Sequence, residues 1–554
     1  MKKIQYILGA LALISFPIGV HAQKQVKDST VNRTVVVEQE YNPDIMDASK
    51  VNVLPKVEPP TVSKKEVEYD ATLVPAGNIP AGIMQAYTGK ETQSKALPGY
   101  ARLGYGNYGN LDVRANYLFT LPNSDRINLT FNMDGMDGKL DTQDNLGKWN
   151  SYYYRTHAGV DYVHAFKKTD LNVTGNFDLS NFNFSPRTIG DKQKFTSGDI
   201  HFGMKSTSND LPLQFRAETN LLLYQRQYGM RFSDTKEAIV RTKADVMGTI
   251  SEKQFIGVAL DMDNAFFKNS DLFKDYTSLN LNPYYLYQDE DWKLRLGAHV
   301  DFAFGFGKQF RASPDISVQY TFSDSYILYT QAKGGRIQND FRRMEIISPY
   351  GLMPDQLDAT YEQLNAALGF KASPVSGLWF NLYGGYQNLK NDVMQYYTDD
   401  ITSSFIYPDG SSKTQLLLVS GNTQNIYAGA EVNYSYKDII SFKVSGVYRD
   451  WKISGEDTNA LLAFKPAFEA NFGIDLRPIP SVLINLGYQN ISREKMEGNK
   501  IDPVSNLYLG GSYELFKGIS IYARINNLLN KNYQYYWGYP TEGLNFVGGV
   551  SFRF

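Results

Sequence analysis

The stretch DWKLRLGAHVDFAFGFG, residues 291–307, alternates apolar and polar side chains over most of its length. A repeat of two residues places alternate side chains on opposite faces of a β-strand and does not fit a helix, whose repeat is 3.6 residues. About 9–11 residues of tilted strand are enough to cross a bilayer. The apolar face consists of Trp292, Leu294, Leu296, Ala298, Val300, Phe302, Phe304 and Phe306. This stretch therefore predicts a strand with one face toward lipid and the other toward a polar interior.

The same alternation recurs from Gly99 to Phe554, broken in turn by short polar connections and longer loops. The short connections are at 122–125, 167–170, 208–212, 251–254, 288–291, 323–325, 373–377, 437–438, 477–481 and 517–518. Examples of the longer loops are 135–150, 185–194, 228–237, 341–358, 391–422 and 530–542. A soluble β-sandwich also alternates, but it has no reason to separate short turns from long loops. We therefore predict an all-β fold, a transmembrane antiparallel β-barrel of about 22 strands with short periplasmic turns and longer extracellular loops.

The composition favours a membrane barrel and excludes several other classes. Aromatic residues make up 14% of the chain, with 40 Tyr and 32 Phe, and barrels place such residues in girdles at both membrane interfaces. The formal net charge of −2 argues against a nucleic-acid partner held by bulk charge. Cysteine is absent, which excludes disulfide scaffolds, thiolate metal sites and cysteine nucleophiles.

The N-terminal region divides into two segments ahead of the barrel. Residues 1–22 are interpreted as a signal peptide, because Lys2 and Lys3 precede an apolar run and Val20-His21-Ala22 offers small residues for cleavage. Residues 23–98 are rich in proline and predict an extended periplasmic or lumenal segment. Residues 99–554 are assigned to the barrel, which implies secretion and an integral location in the outer membrane.

The C-terminal region carries the most specific local signal. The final strand alternates up to a terminal aromatic residue, Phe554, as outer-membrane assembly signals do. Before it stands Ile525-Asn526-Asn527-Leu528-Leu529-Asn530-Lys531-Asn532-Tyr533, followed by Gly538-Tyr539-Pro540 and Gly543. This segment resembles the penultimate hairpin of TonB-dependent receptors. The resemblance implies an outer-membrane receptor or transport barrel.

Two features of residues 23–98 bear on that resemblance. The family carries a globular plug inside its barrel, and this Pro-rich segment is too short for one, so we predict a plug-less variant. Thr34, Val35, Val36 and Val37 resemble a TonB box, the extended segment to which TonB adds a strand. The alternative is an apolar linker that pairs with some other sheet edge or partner.

Motifs that suggest chemistry have structural explanations here. Residues 104–109 match G-x-G-x-x-G, but a strand rather than a helix follows, which favours a tight turn over a dinucleotide site. The alternation places His157, His201 and His299 on the polar lumen face of different strands, with no metal-binding spacing. We therefore expect no metal, no cofactor and no enzymatic activity.

Aromatic residues cluster in the longer loops. Tyr396, Tyr397, Tyr535, Tyr536 and Trp537 are candidate ligand-binding residues, because such rings offer a flat apolar face together with a polar tip. The alternative is the outer aromatic girdle, which we favour for Tyr152 and Tyr154.

The sequence leaves two functions open. The first is an outer-membrane barrel for solute passage or uptake, whose wide lumen is filled by loops such as 341–358 and 391–422, by residues 23–98 or by a partner. The second is a non-transporting barrel subunit of a larger outer-membrane or secretion assembly. The expected partners are outer-membrane lipid and either TonB or a surface lipoprotein or periplasmic protein.

Overall fold

The computed structural model describes residues 97–554 apart from gaps at 123–124, 143–146, 187–190, 209–210, 212, 228–234, 269–271, 324, 354, 400–413, 455–458 and 494–501. The predicted signal peptide, the TonB-box-like residues Thr34–Val37 and nearly all of segment 23–98 lie outside these residues. None of the helices in the described ranges has the length and apolar character needed to span a membrane.

Twenty-two antiparallel strands form one closed sheet. Each strand pairs with the next along the chain, and the pairing of the first strand with the last closes the barrel. The strands are β1 Gly99–Gly106, β2 Leu111–Thr120, β3 Arg126–Asp141, β4 Lys148–Ala165, β5 Thr169–Asn183, β6 Lys192–Ser206, β7 Leu213–Arg226, β8 Lys236–Ser251, β9 Gln254–Lys268, β10 Tyr276–Gln288, β11 Trp292–Phe304, β12 Phe310–Phe322, β13 Tyr326–Ile337, β14 Thr360–Val375, β15 Leu378–Asp399, β16 Thr414–Tyr436, β17 Ile440–Ser454, β18 Pro466–Ile479, β19 Val482–Arg493, β20 Val504–Phe516, β21 Ile519–Asn526 and β24 Asn545–Arg553. The predicted fold class is confirmed.

Smaller elements occupy the longer connections. A two-stranded hairpin, β22 Gln534–Tyr536 and β23 Tyr539–Pro540, precedes the last barrel strand. Helix α1, Phe341–Ile347, lies between β13 and β14, and 3-10 turns lie at Asn107–Gly109 and Asn459–Phe464.

The connections alternate in length as predicted. All ten short connections fall between strands at the expected positions, and they define the turn end of the barrel, where β1 starts and β24 ends. The opposite end is the loop end. The expectation of a loop across 391–422 is wrong at both ends, because β15 extends to Asp399 and β16 begins at Thr414. Strands that continue past the bilayer keep pairing, so the loops are shorter than the polar sequence indicates.

The outer face of the barrel is apolar and ends in an aromatic girdle. Exposed side chains on this face include Leu103, Phe177, Ile200, Phe202, Leu221, Leu223, Leu296, Leu368, Leu382 and Ile426. Near the turn end, aromatic rings contact one another in a series from Trp292 to Phe380, with centroid distances of 4.5–6.3 Å. The ring of the terminal Phe554 lies 6.0 Å from that of Tyr117. Such a girdle marks a membrane interface.

The lumen face explains much of the remaining tyrosine. Several inward tyrosine rings lie across a glycine of a neighbouring strand, so that a methyl group added to the glycine would overlap the phenol. The pairs are Gly104 with Tyr522, Gly257 with Tyr284, Gly369 with Tyr329, Gly385 with Tyr427, Gly429 with Tyr383 and Gly487 with Tyr508. Aromatic side chains that cover strand glycines stabilise curved sheets, so these tyrosines stiffen the wall from inside.

One residue of the predicted lipid face lies elsewhere. Strand β11 ends at Phe304, and Gly305 and Gly307 follow with φ of +90°. That left-handed backbone suits glycine and turns the chain away from the strand direction. The Phe306 ring consequently lies 6.3 Å from that of Tyr276, an inward-facing residue, and not on the outer face.

Candidate functional site

The loop end of the lumen is closed by the connection between β13 and β14, residues 338–359, which we call the lumen loop. It contains helix α1, whose N-terminus is capped by Asp340, since the Asp340 carboxylate accepts a hydrogen bond from the Arg343 N–H at 2.8 Å. Phe341 and Met344, 2% and 0% exposed, lie one helical turn apart and pack into the largest buried cluster. The expectation that 341–358 occupies the lumen agrees with this arrangement.

The entry of the lumen loop is held by charges on β8 and β9. Asp340 lies 3.4 Å from Arg241, which also contacts Asp263 at 2.6 Å. The Phe341 N–H donates to the buried Glu237 carboxylate at 2.9 Å. Removing one partner of a buried ion pair is strongly destabilising, because the other charge is left without compensation. These contacts therefore fix where helix α1 starts.

The helix itself is held by β5, β6 and β7. Arg342 lies 3.1 Å from Asp199 and 3.4 Å from Asp178, and the Tyr224 hydroxyl donates to Glu345 at 2.8 Å. Burial raises the pKa of Glu345, although the Tyr224 hydrogen bond opposes this shift. Arg342 and Glu345 of α1 thus each have a complementary partner on the barrel wall.

The exit of the lumen loop is held by Asp358. Its carboxylate lies 3.0 Å from Arg311 and 3.8 Å from Arg336, and it accepts a hydrogen bond from the Asn391 amide at 3.1 Å. Asn391 lies in a β-bulge of β15 with φ of +52°, a backbone conformation that asparagine tolerates better than most residues. The bulge therefore aims the amide at the loop.

An aromatic cluster fills the centre of the cap, by which we mean the lumen loop together with the 527–544 loop. The ring of Tyr350 stacks on Tyr539 at 3.5 Å and meets Phe182 at 5.0 Å and Tyr536 at 5.5 Å. Burial raises the pKa of Tyr350 well above its ordinary value, so the phenol stays neutral. Aromatic packing of this kind contributes about 0.5–1.5 kcal/mol per pair beyond the area that it buries.

The upper part of the β15–β16 hairpin is covered on both faces. The Leu352 N–H and C=O bond to the backbone of Leu416 and Leu418, at 2.8 and 2.7 Å, so the lumen loop extends the free edge of β16. On one face of the hairpin, Val393, Leu416 and Leu418 pack into the largest buried cluster. On the other face, Met394 packs against Leu461 and Leu462 of the second 3-10 turn. The cap is therefore joined to loops around the rim.

The predicted ligand-binding aromatics divide into two groups. The structure brings Tyr397 and Trp537 together at 5.1 Å, while Tyr536 packs on Tyr350 inside the cap. Tyr396 and Tyr535 are 37% and 36% exposed, and the Tyr535 hydroxyl donates to Gln489 at 3.3 Å. Two of the five rings are thus accessible, and Tyr536 belongs to the packing of the cap.

The 152–154 tyrosines separate according to the strand repeat. Tyr152 and Tyr154 share one face, with their ring centroids 6.5 Å apart, as expected for the girdle. Tyr153 points inward and stacks on Phe182 at 5.2 Å.

The polar wall of the lumen carries the three histidines expected there. His157 lies 2.7 Å from Asp178, His201 lies 3.9 Å from Glu218, and His299 bonds to Asn282 and Asn280. Within the described ranges there is no group of three or more His, Cys, Asp or Glu residues arranged to hold a metal ion.

Sequence reasoning missed the anchors of the lumen loop. Its central sequence, FRRMEII in helix α1, has three charged residues in seven, which suggests a solvated surface. The acceptors Asp178 and Asp199 lie on strands far away in the chain, and their alternation indicates only a polar lumen. The usable signal was Asp340, a helix N-cap residue directly before an apolar position.

Comparisons with known proteins agree with the geometry at the level of the fold. No family model matches the sequence, and no curated protein does so either. The FrpB iron transporter from Neisseria meningitidis matches with a TM-score of 0.64 at 11% identity, over 83% of this chain and 82% of that chain. The siderophore receptor PirA from Acinetobacter baumannii matches with a TM-score of 0.64 at 10% identity, over 84% and 81%. The copper transporter OprC matches with a TM-score of 0.58 at 13% identity, over 82% and 80%.

These similar structures are TonB-dependent receptors, so the resemblance noted in the penultimate segment is confirmed for the fold. At such low identity the likeness concerns the fold alone. The 22-stranded barrel points to the outer membrane as the location of this chain.

Proposed function

We propose that this chain, which has the barrel fold of outer-membrane TonB-dependent receptors, takes up a solute through its lumen. The observation that carries the proposal is the cap, in which the chain's own lumen loop closes the loop end through ion pairs and aromatic packing. An open barrel of this width would breach the permeability barrier. Water can replace separate ion pairs and ring contacts more readily than it can replace the hydrogen bonds of a continuous sheet, so the cap is suited to opening.

The proposed substrate is a metal ion or a metal complex. This proposal is supported by the similar structures, which are an iron transporter, a copper transporter and a siderophore receptor by name. We propose that Tyr396 and Tyr535 contact the solute first, because their rings are exposed at the loop end. Binding would then change the packing of the cap at Tyr397, Tyr536 and Trp537.

Energy coupling is proposed to use residues 34–37. A Thr-Val-Val-Val run is suited to strand addition by a partner, and TonB is the partner that the fold suggests. Deletion of residues 30–40 from the full chain should abolish its binding to the C-terminal domain of TonB in a pull-down. Unchanged binding would contradict this part of the proposal while leaving the barrel's role in uptake open to the next test.

The opening of the cap is tested by conductance in planar lipid bilayers. The double variant Asp340→Ala/Arg342→Ala removes one anchor from the loop entry and one from the helix, and it should conduct in larger and more frequent steps than the wild type. The matched control Lys253→Ala/Asp289→Ala removes an ion pair of 2.7 Å at the turn end and should behave as the wild type. Equal silence of the cap variant and the wild type, with the barrel intact by heat-modifiable gel mobility, would contradict a transport role.

The second candidate, a non-transporting subunit of a larger assembly, makes the opposite prediction. It expects silence in both variants together with a stable co-purified lipoprotein or periplasmic partner.

A further inference from the structure

We propose that the lumen contains a binding site for an oxyanion, a phosphate or carboxylate group of a solute, where the first and last strands close the barrel. The site consists of Arg102 on β1, Arg114 on β2 and Arg524 on β21, and we call it the seam site. This inference rests on the proposed function, since it takes the lumen as the path of a solute.

Two arginines of the seam site share one carboxylate. Arg102 lies 2.6 Å from Asp112, and Arg114 lies 3.3 Å from it. The Tyr522 hydroxyl also donates to Asp112, at 2.9 Å. Both oxygens of Asp112 are therefore already engaged, and the group retains a net charge of about +2.

Arg524 has no hydrogen-bonding or ion-pair partner among the described residues. Its guanidinium lies 4.9 Å from the ring centroid of Tyr508. Tyr522, two residues before Arg524 on the same face of β21, contacts both Arg102, at 5.0 Å, and Asp112, at 2.9 Å. The residue is exposed to the lumen. A cation–π contact uses none of the five N–H donors of a guanidinium, so these donors stay available in the fork that matches a carboxylate or phosphate.

Like charges face each other directly at this site. Arg102 and Arg114 are cross-strand partners in the register of β1 and β2, an arrangement that is destabilising unless an anion lies between them. Asp112 supplies only one such charge. A bound oxyanion would complete the neutralisation.

The wall beside the arginines leaves space for a ligand. Arg524 has Gly510 and Val547 as cross-strand neighbours, and the next inward position of β24 is Gly549, which lies against the Leu103 carbonyl. Two positions beside Arg524, Gly510 and Gly549, thus place no side chain in the lumen.

Several arginines elsewhere on the lumen side have carboxylate partners of their own. Five of them contact carboxylates that no other arginine of the described chain uses: Arg155 with Asp134, Arg241 with Asp263 and Asp340, Arg295 with Asp315, Arg342 with Asp178 and Asp199, and Arg449 with Glu469. Arg311 and Arg336 also share one carboxylate, that of Asp358, but the seam site adds to its shared carboxylate a third arginine, Arg524, that has no ion-pair partner among the described residues.

Binding of inorganic phosphate to the purified full chain in a zwitterionic detergent tests the site. Equilibrium dialysis with radiolabelled phosphate at low ionic strength should show saturable binding that weakens as salt is added. Arg524→Gln and Arg114→Gln should each lower the association constant by about tenfold, the loss expected for a charged hydrogen bond. The matched control Arg449→Gln removes a paired arginine from the same lumen and should change it by less than about twofold.

The remaining outcomes would overturn the site. These are no saturable binding by the wild type, equal binding by Arg524→Gln and the wild type, or an equal loss in Arg449→Gln. Gel mobility before and after heating verifies that each variant is folded. The measurement uses isolated protein, so phosphate binding without conductance would contradict uptake alone, and conductance without phosphate binding would contradict the seam site alone.

Discussion

The cap and the seam site use the same kinds of side chain in opposite ways. In the cap, Arg342 and Asp340 each have partners of opposite charge on the wall, and the surrounding aromatics exclude water. At the seam, Arg102 and Arg114 share Asp112, and Arg524 is exposed to the lumen without an ion-pair partner among the described residues. Paired charges suit a closure that the protein makes with itself. Incomplete pairing suits a partner that comes from outside.

The largest expected effect is on the aromatic centre of the cap. Tyr350→Ala removes the ring that stacks on Tyr539 and should destabilise the cap by about 4 kcal/mol, because a large buried side chain leaves a cavity. Hydrogen exchange of the Phe341–Ile347 amides should accelerate, while Tyr396→Ala, which truncates an exposed ring, should leave it unchanged. Slow exchange in the Tyr350 variant would mean that ion pairs alone hold the cap.

The next effect separates charge from helix capping at the same residue. Asp340→Ala removes both the N-cap and the Arg241 contact and should destabilise the cap by about 3 kcal/mol. Asp340→Asn keeps a good N-cap and removes only the charge, so its loss should be smaller. Hydrogen exchange of α1 measures both variants. Equal losses would assign the whole effect to the ion pair.

A smaller effect is expected at the wall of the seam. A methyl group at Gly549 would overlap the Leu103 carbonyl oxygen of the neighbouring strand, and backbone cannot move aside as a side-chain tip does. Gly549→Ala should therefore cost about 2 kcal/mol of barrel stability, seen as a lower temperature of heat-modifiable unfolding. The control Gly473→Ala introduces a methyl group into open space and should unfold close to the wild-type temperature.

The smallest effect depends on pH and concerns the loop end of the seam. Burial raises the pKa of Glu542 to about 7, although a hydrogen bond from the Asn110 amide at 3.0 Å opposes this shift. Because the folded-state pKa of Glu542 lies above the unfolded value, the folded protein favours the neutral carboxyl. The contribution of Glu542 to the stability is complete below about pH 4.5 and is lost as pH rises through about 7.

Glu542→Gln removes this pH dependence. At pH 8 the variant should be more stable than the wild type by about 1 kcal/mol, after allowance for solvent screening, and at pH 4 the two should match. Unfolding temperatures at the two pH values measure the difference. A constant difference between the proteins would contradict the raised pKa.

The barrel was predictable because its signals are local. Alternation within each strand, the ten turns and the final strand ending at Phe554 each lie within a few residues of sequence. The cap was not predictable in detail, because its contacts join residues such as Arg342 and Asp178, which are 164 positions apart. A charged seven-residue helix that packs inside a polar lumen resembles an exposed loop in sequence.

Two further features limit what alternation alone can assign. The bulge between Leu389 and Asp392 shifts the register of β15, so alternation read across it assigns side chains to the wrong face. Tyrosine has an apolar ring and a polar hydroxyl, so the repeat of two alone does not distinguish a girdle residue from a lumen residue such as Tyr522. The seam site was missed for a related reason, since its three arginines come from strands at both ends of the chain.

The pairing of β1 with β24 has a consequence for biogenesis. Asn107 and Phe546, which are hydrogen-bonded at this junction, are separated by 439 positions, so ring closure waits for the last strand to be synthesised and exported. Until then both terminal strands present unpaired edges that invite aggregation. Neighbouring hairpins can form early at small entropic cost, whereas this final step closes the longest loop in the chain. In a nascent barrel of this design, these two edges are therefore the last to be protected.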